Sequence, residues 1–100
     1  MLIRDGRSTA VAHSGLRAIG LWMTVKGSQP SQPVWVFVSC EALADLDPGN
    51  IRDLASAFVQ FDTVRSRIEA AASKKFKPDG SDGERYEGMP TVWLIKSDAI

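Results

Sequence analysis

A thiol, a single imidazole and two groups of carboxylates are the side chains of this sequence equipped to attack a substrate, move a proton or hold a metal. Cys40 follows Ser39 where a helix is expected to begin, a position at which backbone amides and the helix dipole favour a thiolate. Glu41, directly beside it, opposes that effect, and the apolar run leading into Cys40 reads it as a small buried hydrophobe. His13 lies between Ala12 and Ser14 and reads as a loop or surface residue. With no second histidine the chain has no His pair or relay, and nothing in the spacing brings His13 to Cys40 as a dyad. Glu41 and Asp45, four apart, share a helical face and with Asp47 read as a solvated surface. Asp79, Asp82, Glu84 and Glu87 alternate with glycines but miss the calcium-loop spacing. Residues 15–20 lack the glycine pattern of a phosphate or dinucleotide loop, and no serine-hydrolase elbow occurs. No catalytic residue, metal site or cofactor is therefore expected.

Arg65, Arg67, Lys74, Lys75 and Lys77, with Phe76 among them, make a basic contact surface conceivable. Cations at a helix C-terminus are also what the dipole favours, and Arg65 has Asp62 and Glu69 within pairing distance along a helix. The 12 Lys+Arg balance 12 Asp+Glu to a net charge of zero, so counterion release offers little drive toward nucleic acid. Charge swings along the chain, positive before residue 40, negative over 41–62 and positive again over 63–77. That dipolar pattern suits protein contacts better than a polyanion.

The elements that position these groups follow from periodicity. Ile51, Leu54, Phe58, Phe61, Val64 or Arg65, Ile68, Ala72 and Phe76 recur at steps of three and four, which predicts a long amphipathic helix over 51–76. Asn50 is its expected cap, with Asp53 near its positive end and Lys74, Lys75 and Lys77 at its exit. Leu43 and Leu46 behind Ser39 predict a short helix over 40–46. Residues 16–25, 34–39 and 91–96 are rich in β-branched and aromatic side chains and read as strands, the first two as a hairpin. Both faces of these strands are apolar. One long helix covers one face, so the other, with Trp22, Trp35 and Trp93, must be covered by the N-terminal segment, by a second copy or by a partner.

At 100 residues, with 44% hydrophobic and 24% charged side chains, the chain is sized for one folded domain and too apolar for disorder. One single α+β domain over 1–100 is expected, with 1–15 as an N-terminal segment and 77–90 as a flexible acidic loop. One cysteine excludes an intramolecular disulfide and fits a reducing compartment. No stretch approaches the ~20 apolar residues of a membrane span, and the first residues lack the apolar run of a signal peptide. A cytoplasmic protein is expected.

The run Phe37-Val38-Ser39-Cys40-Glu41-Ala42-Leu43-Ala44-Asp45, a strand delivering directly into a helix, resembles the bacterial proteins called domain of unknown function 1488. So does Phe61, Arg65, Ile68 and Ala72 followed by basic residues. The resemblance covers residues 16–76 and extends to 88–98. It implies a small bacterial α+β domain and supplies no catalytic residue to carry over.

The expected architecture is a small antiparallel sheet of three to four strands with one short and one long helix, in the order β-β-α-α-β. The expected function is a non-catalytic interaction or regulatory module that self-associates as a homodimer through Trp22, Trp35 and Trp93, with any other protein partner unnamed. The alternatives are a small-molecule binder or enzyme with a pocket near Cys40, Glu41 and Trp35, and a weak nucleic-acid binder using the basic helix end.

Overall fold

A computed structural model of the chain describes residues 2–4, 9–27, 32–76, 85–86 and 89–95. Its elements are β1 (Leu2–Arg4), β2 (Val11–His13), β3 (Ala18–Val25), β4 (Pro33–Ser39), α1 (Cys40–Leu46), α2 (Leu54–Lys75), β5 (Arg85–Tyr86) and β6 (Met89–Leu94). The class is α+β, and the expected β-β-α-α-β succession is present as β3-β4-α1-α2-β6.

The sheet departs from a small antiparallel one. Six strands are present among the described residues, ordered β1-β3-β4-β6-β5 with β2 also on β3. The pair β4 and β6 is parallel, from Trp35 opposite Thr91 to Val38 opposite Leu94. The reason is the crossover: β4 runs straight into α1 and α2, which carry the chain back to the end where β4 began. The described parts of the N-terminal segment join the sheet edge and do not lie over its face. Its β1 and β2 lie end to end along one edge of β3, Leu2 to Arg4 against Val25 to Met23 and Val11 to His13 against Gly20 to Ala18. Part of the expected acidic loop is strand, since Arg85–Tyr86 pairs antiparallel with Met89 and Pro90. Residues 77–84 and 87–88, with Lys77 and all four acids of the run, Asp79, Asp82, Glu84 and Glu87, lie outside the described residues.

Local chemistry sets the helix starts. The Ser39 hydroxyl accepts from the Ala42 amide at 3.0 Å and caps α1. Cys40 N donates to the Arg17 carbonyl at 2.9 Å, which ties the β2–β3 turn to that helix start. The long helix begins at Leu54, later than residue 51. Asn50 is occupied by the turn before it, its side-chain amide bonding the Asp47 carboxylate at 3.1 and 3.0 Å. Asp53 is the cap: its carboxylate accepts from Ser56 N at 2.8 Å while the Ser56 hydroxyl accepts from Asp53 N at 3.0 Å, a reciprocal capping box. Lys74 and Lys75 occupy the last turn as the dipole favours.

That cap has a pH signature. Bonds from the Ser56 amide and hydroxyl hold the Asp53 carboxyl below the usual carboxylate range. A depressed folded value means the stabilisation is present above the unfolded carboxylate range and disappears as pH falls through the folded value. Asp53→Asn keeps a capping oxygen but cannot titrate, so urea unfolding between about pH 5 and pH 2 should show a flatter profile for the variant than for the parent. Parallel profiles would remove Asp53 from the acid response.

Both helices lie on one face of the sheet. Ile19, Leu21 and Met23 of β3, Val34, Val36 and Val38 of β4, and Val92 and Leu94 of β6 form one connected core with Leu43, Ile51, Ala57, Phe61, Val64, Ile68 and Ala72. On α2 it is Ala57, small enough for close approach to the sheet, that enters the core, while Phe58 is left 47% exposed. Two polar ties fix the register of α2: Leu2 N donates to Ser73 Oγ at 2.9 Å, and Arg4 Nε bonds both Glu69 carboxylate oxygens at 2.9 and 2.8 Å.

Candidate functional site

The opposite face of the sheet carries the unusual chemistry. Strand alternation that points Ile19, Leu21 and Met23 at the helices turns Ala18, Gly20, Trp22 and Thr24 away from them. Cross-strand register then sets Trp35 beside Trp22, Phe37 beside Gly20, and Trp93 beside Phe37. The rings touch in sequence. Trp22 meets Trp35 edge to face at 5.5 Å, Trp35 stacks with Phe37 at 5.7 Å, and Phe37 stacks with Trp93 at 4.8 Å. His13, brought in by β2, abuts Phe37 edge-on at 5.3 Å and 74°.

Gly20 is the floor of this array. A Cβ there would lie 2.7 Å from Phe37 Cε1 and 3.3 Å from His13 Cδ2. Phe37 therefore lies down on the backbone and is wholly buried, whereas the three tryptophans are half-buried and present ring surface outward. Aromatic pairs in these geometries add about 0.5–1.5 kcal/mol each beyond the area they bury.

The face is also free of charge where a solvated sheet would carry it. Across β1 to β4 and residues 91–94 of β6, its positions hold no Asp, Glu, Lys or Arg, and His13 is their one ionisable group. Ile3 and Val11, on the same face, are 43% and 45% exposed. An antiparallel sheet with one wet side normally alternates apolar with polar residues. Among the described residues no helix packs on this side.

The other expected groupings do not converge. Cys40 is half-buried and packs against the core beneath the helices, Glu41 is exposed, and Trp35 belongs to the other side of the sheet, so the three line no common pocket. His13 and Cys40 are likewise separated by the sheet. The basic residues are dispersed: Arg65 Nε pairs with Glu69 at 3.3 Å, Lys75 Nζ donates to the Trp93 carbonyl, and Lys74 is exposed. Arg67 lies on the exposed side of α2. Among the described residues no group of His, Cys, Asp and Glu is arranged to hold a metal ion.

A cleft of about 310 Å³ that the sequence did not announce lies between the start of β2 and α2, lined by Thr9, Ala10, Phe58, Phe61, Asp62 and Arg65. It is the consequence of Phe58 remaining outside the core. On its polar rim Arg65 pairs with Glu69 at 3.3 Å.

No family model and no curated protein matches the sequence. Among solved structures, the fold is similar to a protein of unknown function from the DUF1488 family of Shewanella loihica PV-4, with a TM-score of 0.60, 20% identity, and coverage of 91% of this chain and 90% of that one. The strand-into-helix run at residues 37–45 is thus part of a likeness spanning nearly the whole length, and this chain has the α+β fold of a DUF1488-family protein.

Proposed function

We propose that this chain is a non-catalytic cytoplasmic module that works by self-association, two copies joining through the aromatic face of the sheet. The observation that carries the reading is the charge-free array of Trp22, Trp35, Phe37 and Trp93 on the side away from the helices. Leaving such a surface wet forfeits about 25 cal/mol for each Å² of apolar area. A second copy supplies a cover of matching character, because the described positions of the face carry no Asp, Glu, Lys or Arg that would be desolvated in pairing with itself. At ordinary strand spacing and rise the face is about 19 Å across and about 26 Å along β3, on the order of 500 Å² in plan before side-chain relief is counted. That is of the order of the ~800 Å² per partner of a standard interface. Sheets packed this way, with side chains interdigitating across about 10 Å, are a familiar solution. The single free cysteine agrees with a reducing compartment, and no described helix is long and apolar enough to cross a membrane.

Light scattering at tens of micromolar should give twice the single-chain mass. Trp22→Arg, which places a charge at the outer surface of the array, should return the mass to that of one chain while circular dichroism stays native. A parent mass equal to one chain and unchanged with concentration would overturn the reading.

A further inference from the structure

We infer that the cleft between the start of β2 and α2 is a binding site for a free α-amino acid with an apolar side chain. The site goes beyond the self-association proposed above and is independent of it, because the cleft lies beside α2 and the aromatic face is turned away from the helices. Its volume of about 310 Å³ is at the small end of ligand sites, which run from about 300 to 1,000 Å³ and combine an apolar lining with a few placed polar groups. That sets the ligand at the size of one amino acid and excludes a dinucleotide.

The lining divides by chemistry. Phe61, 1% exposed, and Ala10, packed against the core, form the apolar base, while Phe58 stands at the mouth. Val59, next to Phe58, is 74% exposed, so the apolar surface here is a patch and not one stray ring. Asp62 and Arg65 form the polar wall. Three apart on one helix, they are surface neighbours with Cβ atoms about 5–6 Å apart. Asp62 is exposed, and Arg65 is held in place by Glu69, to which its Nε donates at 3.3 Å. A guanidinium has five N–H donors and serves more than one carboxylate.

The charges select the ligand. Arg4 also pairs with Glu69, so among the described residues this group is two cations and two anions. A purely cationic ligand at Asp62 meets the repulsion of Arg65, and a purely anionic one at Arg65 meets that of Asp62. A zwitterion meets neither. An α-amino acid carries its ammonium and carboxylate on one carbon, so the ammonium can face Asp62 while the carboxylate faces Arg65, both contacts being charge-assisted. Its side chain then lies against Phe58 and Phe61, where the apolar area removed from water adds to binding. Thr9 offers a hydroxyl at the rim.

A titration of the full chain followed by amide chemical shifts at neutral pH tests this, with L-leucine and L-phenylalanine as probes. Glycine, phenethylamine and hydrocinnamate are the comparators, lacking in turn the apolar side chain, the carboxylate and the ammonium. The expected result is saturable shifts confined to Thr9, Ala10 and residues 58–65, with both apolar amino acids binding at least about tenfold tighter than any comparator. Asp62→Asn should weaken the binding of L-leucine about tenfold and Phe58→Ala severalfold, both with native circular dichroism because both residues are exposed. No saturable shift with either amino acid up to about 20 mM overturns the site, as does binding that both variants leave unchanged. A comparator that binds as tightly as the two amino acids overturns the ligand class. Shifts centred on Trp22, Trp35 and Trp93 would place the ligand on the aromatic face and overturn the cleft as its site.

Discussion

Phe61→Ala should cost about 3–5 kcal/mol, the ordinary range for removing a buried phenyl ring from a packed core. Phe61 is 1% exposed and stands on α2 between Ala57, Val64 and the core of β-branched and leucine side chains beneath. Its removal opens a void that joins the cleft beside Thr9 and Ala10, and the rigid sheet below cannot collapse to fill it. Domains of this size are stable by about 5–15 kcal/mol, so the variant should be marginal at 37 °C. The control is already in the chain. Phe58, on the same helix, is 47% exposed at the cleft mouth, and Phe58→Ala should cost less than about 1 kcal/mol, part of it regained because alanine is the better helix former. Urea unfolding of the two variants side by side reads the difference. Similar losses would mean that the burial pattern along α2 is wrongly placed.

That contrast also marks where sequence periodicity ran out. Steps of three and four select Ile51, Phe61, Val64, Ile68 and Ala72, all buried, but they also select Phe58, which is 47% exposed, in place of its buried neighbour Ala57 on the edge of the same stripe. Close packing chose the small one. The start of α2 failed for a related reason. Asn50 is a good cap by type, and only the structure shows it bonded to Asp47, while Asp53 and Ser56, three apart, carry the capping pattern that the helix uses. By contrast Ser39 before Cys40 is legible as a cap, because strand and helix patterns meet there without a turn between them. Strands β1, β2 and β5 are three residues long or fewer, too short for alternation to register against loop composition. The parallel pairing of β4 and β6 is a property of the crossover and leaves no mark on either strand alone. The aromatic face was legible as an excess of apolar positions. Its construction, a phenyl ring lying on a glycine, was not.

That glycine carries the second large effect. Gly20→Ala would ordinarily stabilise a strand by roughly 0.5–1 kcal/mol, since alanine loses less backbone freedom on folding. Here the added methyl would stand 2.7 Å from Phe37 Cε1 and 3.0 Å from Cδ1, and the ring has little room to retreat with Trp93 stacked at 4.8 Å, Trp35 at 5.7 Å and His13 at its edge. Overpacking of this kind costs about 1–3 kcal/mol, which reverses the usual sign. A double-mutant cycle isolates the cause. Phe37→Leu removes the ring atoms nearest Gly20, so Gly20→Ala should be neutral or stabilising in that background, with a coupling energy of about 1–3 kcal/mol between the two sites. The clash is internal to one chain and should appear at protein concentrations too low for association, together with a change in the near-ultraviolet circular dichroism of the tryptophans. Gly20→Ala that stabilises the parent chain would show that Phe37 is free to lift off the backbone. The aromatic face would then be a mobile set of side chains and not the preorganised surface on which a second copy could seat at low entropic cost.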